Sequence, residues 1–172
     1  MPLLHRTIKL ILATVLSIYL ADWLGLSYAT SAGIIAILSI LDTRKSSYKM
    51  ALNRFYSTLL ALSIATITFY LLGFGIWTLG VYLVFYVPLA YHFRWEAGIA
   101  PATVLVTHLM LEKSLSIYLL SNEMGLFLIG ALTALISNLY MPSHERMIEE
   151  YHERVEDKLK QILLRFEQFL IK

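Results

Sequence analysis

Cysteine is absent from this chain and charge is scarce: 15% of its 172 residues are Asp, Glu, Lys or Arg. The first absence excludes disulfide frameworks, thiol nucleophiles and cysteine-based metal sites. The second sets the chain apart from soluble domains, which carry about 25% charged residues. Catalytic signatures are missing as well. Serine and histidine occur, but no nucleophile motif, Gly-rich phosphate loop or His-x-x-x-His pair accompanies them. His92, His108, His144 and His152 are scattered over different segments. The chain therefore reads as no enzyme, with no metal and no cofactor. Nucleic acid is not an expected partner, because the basic residues sit at the borders of apolar blocks.

What is present is apolar. Hydrophobic residues make up 58% of the chain, and the mean hydropathy is +0.67. They form blocks too long and uncharged for a water-facing helix, which keeps one polar face. Six spans are expected, at Thr7–Leu24, Tyr28–Leu41, Phe55–Leu72, Ile76–Phe93, Ala97–Leu111 and Met124–Met141. Arg6 and Lys9 ahead of the first run would also suit a cleaved signal. Its length, the following Asp22-Trp23 and the further blocks favour a retained span. A comfortable crossing takes about 20 residues, so spans two and five are short. Each is read as a tilted or broken helix, a re-entrant segment, or a helix in a thinned region.

Basic residues set the orientation. Arg6, Lys9, Arg44, Lys45, Lys49, Arg54 and Arg94 fall on one side of a six-span layout, and only Lys113 of the pre-tail cations falls on the other. The opposite loops hold Asp22, Glu112 and Glu123. Both termini are thus expected in the cytoplasm. Ala32-Gly33-Ile34-Ile35-Ala36 and Ala97-Gly98-Ile99-Ala100-Pro101 recur 65 positions apart, and the same offset carries span one onto four and span three onto six. That spacing predicts an all-α membrane protein built as an inverted 3+3 repeat. Gly33, Gly98 and Pro101 are expected to open the backbone of the short spans. The rows Ser57, Ala61, Ala65 and Gly130, Ala134, Asn138 each occupy one helix face; packing within a subunit is preferred to a dimer face.

Residues 1–141 are the expected membrane domain and 142–172 a cytosolic amphipathic helix. Ile148, Val155, Ile162 and Phe169 recur every seven residues, with His152, Leu159 and Phe166 between them. Such a stripe suits a coiled coil or a further domain, and the expected assembly is a homo-oligomer.

The stretch Asp42-Thr43-Arg44-Lys45-Ser46-Ser47-Tyr48-Lys49 and on to Arg54 gathers cations and hydroxyls at the inner mouth. Such a cluster concentrates anions and offers charge-assisted hydrogen bonds. Two readings of Arg44 and Arg54 stand side by side, anion contact and anchoring at lipid headgroups; for Lys45 and Lys49 anchoring is preferred. Asp22, Asp42 and Glu96 lie near the membrane faces, where an acid can exchange protons or simply face water. His108 falls inside span five, so it is expected to face a cavity or a neighbouring helix.

The run Ile37-Leu38-Ser39-Ile40-Leu41-Asp42-Thr43-Arg44-Lys45-Ser46, with Ala51-Leu52-Asn53-Arg54-Phe55 after it, resembles the bacterial aromatic acid exporter family. That family is part of a wider group of fusaric-acid-resistance-like membrane proteins. The resemblance spans about residues 1–141 and implies export of organic anions, aromatic carboxylates above all, across the bacterial cell membrane. It carries over to Thr43, Arg44, Lys45, Ser46 and Arg54 as substrate contacts. Family members continue into a cytosolic helical domain, of which residues 142–172 would be the beginning of a truncated copy. The alternative function is a non-transporting membrane scaffold whose tail recruits a partner.

Overall fold

The computed structural model describes residues 2–40, 44–139 and 154–162. Among these, every regular element is helical. The chain falls into two compact units, residues 1–140 and 141–172. The first holds helices α1 (Pro2–Trp23), α2 (Thr30–Ile40), α3 (Arg44–Leu72), α4 (Ile76–His92), α5 (Ile99–Glu112) and α6 (Ile117–Leu139), with a 3₁₀ turn at Glu96–Gly98 ahead of α5. In the second, residues 154–162 are helical and expose Val155, Leu159 and Ile162. The rest of the expected stripe lies outside the described residues.

Two stretches, Tyr48–Leu72 and Ile117–Asn138, are long and apolar enough to cross a bilayer. At about 1.5 Å per residue, the 11 residues of α2 span roughly 16 Å. The 14 residues of α5 span roughly 21 Å. Neither alone matches a hydrocarbon core of about 30 Å.

Two boundaries and one expected break differ from the sequence expectation. Helix α3 starts at Arg44 rather than near Phe55, so the basic segment is helical and not a linker. No Gly or Pro interrupts residues 44–72, and Lys, Met, Ala and Leu favour helix there. Helix α6 starts at Ile117, seven residues before the expected Met124, which draws Asn122 and Glu123 into the helix. Helix α2 runs unbroken through Gly33. Its glycine serves close approach instead: a Cβ there would lie 2.7 Å from Ile18 of α1. Pro101 sits in the first turn of α5, where its missing N–H costs no helical bond.

Helix α2 packs on α1 and α6, while α5 packs on α3 and α4; α1 also meets α6, and α3 meets both α4 and α6. The exterior is far more apolar than that of a water-soluble bundle. Trp77, Ile117 and Tyr70 are 87%, 84% and 80% exposed, with Leu12, Val15, Leu71 and Val84 also outward. Small residues fill the interior, among them Ala21, Ala32, Ala61, Ala65 and Ala102. Both small-residue rows, Ser57-Ala61-Ala65 and Gly130-Ala134-Asn138, are buried between helices of this one unit. Such a surface is costly in water and suits lipid, where close backbone approach drives helix association.

Candidate functional site

At the end of the bundle formed by the α1–α2 and α5–α6 turns, a polar cluster is buried. Glu123, one-third of the way along α6, is fully buried, and His108 of α5 is 6% exposed. Imidazole Nδ1 and carboxylate Oε2 are 2.7 Å apart. With Glu123 ionised, Nδ1 carries the proton and donates it, leaving Nε2 to accept from the Ser31 hydroxyl of α2 at 3.1 Å. Asn122 donates from Nδ2 to the other carboxylate oxygen, Oε1, at 3.2 Å. Removing a carboxylate from water is affordable only with such partners.

Tyr28 covers this pair. Its ring stacks on the His108 imidazole with centroids 4.3 Å apart and planes within 8°. Its hydroxyl donates to Glu112 at 2.6 Å, and that bond pushes the phenol pKa above its ordinary value, with burial and the carboxylate charges adding to the rise. Tyr28 holds φ at 61°, a left-handed conformation that side chains with a Cβ rarely adopt. Its position is therefore fixed against a local backbone preference.

The opposite end is braced by Arg54. This arginine of α3 is 7% exposed. Its Nη1 donates to Ser39 Oγ at 2.6 Å, Nη2 to the Leu38 carbonyl at 3.0 Å, and Nε to the Ala97 carbonyl at 3.1 Å. One guanidinium thus joins the last turn of α2 to the turn before α5. Asn53 adds a bond to the Arg94 carbonyl at 3.3 Å. Asn138 of α6 donates to the Ser39 carbonyl at 3.3 Å and accepts from Lys9 Nζ at 3.3 Å. A crevice of about 10 Å³ lies among Ser39, Ala51, Arg54, Ala134, Leu135 and Asn138. That is room for about one water. A wider hollow of about 150 Å³, almost wholly apolar, opens between α3 and α6 beside Leu52, Phe55 and Phe127.

The sequence candidates thus separate. His108 and Arg54 are buried at opposite ends and do not meet. Asp22 is exposed at the end of α1, and Glu96 is exposed at the start of the 3₁₀ turn. Arg44, Lys45 and Ser46 open α3, without described side chains, while Asp42 and Thr43 lie outside the described residues. Glu123 was missed. The sequence reading places it in an outer loop, because the sixth apolar span is bounded at Met124. The signal was present in Ile117-Tyr118-Leu119-Leu120, an apolar turn ahead of the acid that places Glu123 inside helix α6 rather than before it.

A bundle with an apolar exterior, small residues between helices and a hydrogen-bonded His–Glu pair in its interior is a helical membrane protein. More particularly, the chain belongs to the aromatic acid exporter family: residues 1–141 match the description "aromatic acid exporter family member 1". It is also 34% identical over 167 residues to the uncharacterized protein YqjA of Bacillus subtilis (strain 168), covering 97% of this chain and 52% of that protein. The chain therefore spans about half the length of this curated relative. No solved structure matches it.

Proposed function

We propose that this chain is the membrane part of an exporter of organic anions, of the aromatic carboxylate type. The observation that carries the reading is membership of the exporter family over residues 1–141. In this reading six helices cross the bilayer with both termini cytoplasmic, arranged as two inverted halves. The packing supports the repeat: α2 on α6 and α1 is mirrored by α5 on α3 and α4. The clamps support it too, since Asn122 near the start of α6 holds the α1–α2 turn, while Arg54 in α3 holds the turn before α5. Substrate enters at the basic mouth, to which Thr43, Arg44, Lys45 and Ser46 contribute cations and hydroxyls and Arg54 a further cation. His108 stands further along the route, and Asp22, Asp42 and Glu96 are the acids that exchange protons at its mouths. The apolar hollow beside Phe55 and Phe127 is the face on which subunits of a homo-oligomer meet in this reading.

The test is release of labelled benzenesulfonate from proteoliposomes, with benzoate as competitor. Export predicts release above that of protein-free vesicles, benzoate inhibition, and a severalfold loss in Arg44→Ala with unchanged folding. Release equal to that of empty vesicles overturns the proposal. The exposed Val155, Leu159 and Ile162 favour a second reading, a scaffold whose tail recruits a partner. A scaffold passes no anion and loses its effect in cells when residues 148–172 are deleted, whereas a transporter keeps its flux.

A further inference from the structure

The buried pair at the α1–α2/α5–α6 end has a property that anchoring alone does not require. With His108 neutral and Glu123 ionised, the cluster carries one net negative charge where water is largely excluded. Among the described residues, no cation offsets it. Helix α6 contributes Glu123 and the neutral amide of Asn122. Helix α5 contributes His108 and, through Tyr28, Glu112. Helix α2 contributes only the Ser31 hydroxyl, and α1 and α3 bring no acid or base into hydrogen-bond contact with the pair. Asp22 and Lys113, the other charged residues of this end, are exposed.

We propose that His108 and Glu123 form a proton-binding site, and that the proton held there removes the charge that otherwise bars anions from this end of the bundle. The balance is simple. A hydronium ion on this side gives its proton to His108 Nε2 and leaves as water; the Ser31 hydroxyl, which had donated to Nε2, turns to accept from the new Nε2–H, and Nδ1–H stays donated to Glu123 Oε2. The imidazolium and carboxylate then sum to zero, and no other bond forms or breaks. An anion nearing the unprotonated pair meets like charge in a poorly screened environment, and one nearing the protonated pair does not. Tyr28 makes the site a built one. Strained at φ 61°, it lies flat on the imidazole and closes the pair from the turn side.

The anion arm of this proposal rests on the export reading, and its test separates the two. Benzenesulfonate, which stays charged throughout, is released from proteoliposomes holding the full chain at external pH from about 8 down to 5. The expected result is a severalfold rise in wild type on acidification and a high, flat profile in Glu123→Gln. A Glu123→Gln profile with the wild-type pH dependence overturns the proposal. Nuclear magnetic resonance of histidine-labelled wild type, with the His108 signal identified through His108→Gln, needs neither transport nor a folded Glu123 variant. Ring signals that pass from the neutral to the charged pattern across this range support the site, and ring signals that stay unchanged overturn it. If wild type releases no benzenesulfonate at any pH, the export reading falls and the imidazole signals alone decide for or against the proton site.

Discussion

Asn122 holds Ser27 by both sides of its backbone, accepting from the Ser27 N–H at 2.8 Å and donating to the Ser27 carbonyl at 3.1 Å. A single α6 side chain thereby satisfies the polar groups of the α1–α2 turn, whose residues 24–29 lie outside any helix. An unpaired buried polar group costs about 1–3 kcal/mol. The Ser27 groups are only partly buried, so Asn122→Ala should destabilise the protein by the lower end of that range, about 1–2 kcal/mol. Asn122→Asp should be no better, because it loses the donor and sets a second carboxylate beside Glu123. Thermal unfolding in detergent, read as Tm, checks both.

The buried His108–Glu123 pair makes a prediction about stability that is separate from its proposed proton chemistry. Removing one partner of a buried pair leaves an uncompensated charge and costs about 3–5 kcal/mol. His108→Leu should fall in that range. The double change His108→Leu with Glu123→Leu should recover most of the loss, since two apolar residues replace a carboxylate that was expensive to bury and the imidazole that served it. A double variant no more stable than the single one would show that the two groups do not depend on each other.

Arg54 is a fork spent on three acceptors from two different turns. Hydrogen bonds from a charged donor contribute about 1.5–3 kcal/mol each. Arg54→Ala should therefore be among the most destabilising changes at that end of the bundle. Arg54→Lys keeps the charge but not the planar fork, so it should restore less than half of the loss. Melting temperatures of the two variants, set against wild type, measure the difference.

Tyr28 makes an alkaline prediction. Its phenol pKa is raised above 10.0 chiefly by the hydrogen bond to Glu112. A raised folded-state value means that this contribution is fully present below about pH 10 and is lost as pH climbs through the raised value. Glu112→Gln removes the main cause. Tyrosinate absorbance, corrected with Tyr28→Phe, should then show Tyr28 ionising at lower pH than in wild type.

Much of the helical order was legible because apolar blocks and Gly-containing turns such as Leu72-Gly73-Phe74-Gly75 punctuate the chain. The boundaries that failed share one cause. Polar residues before Phe55 and before Met124 read as loop, yet a helix continues through polar residues when neighbouring helices supply their partners. Arg54 finds Ser39, Leu38 and Ala97, and Glu123 finds His108. Those partners lie 15 to 43 positions away for both residues, beyond the reach of local pattern. His108 was legible as a buried polar group, but the acid that completes its site was not.

Gly130 provides the sharpest test of the packing. A Cβ built there would lie 2.6 Å from the Ala32 carbonyl oxygen and 2.8 Å from Ile35 Cβ. The carbonyl belongs to the α2 backbone and cannot rotate aside, so Gly130→Ala must push α2 and α6 apart. Overpacking of this kind costs about 1–3 kcal/mol. Gly80, in the middle of α4, is the matched control, because nothing lies within 4 Å of its added Cβ. There the substitution removes only backbone freedom, and Ala is favoured over Gly in a helix by about 0.8–1 kcal/mol. Gly80→Ala should raise Tm slightly while Gly130→Ala lowers it. Equal effects of the two would mean that α2 and α6 do not meet at Gly130 as described.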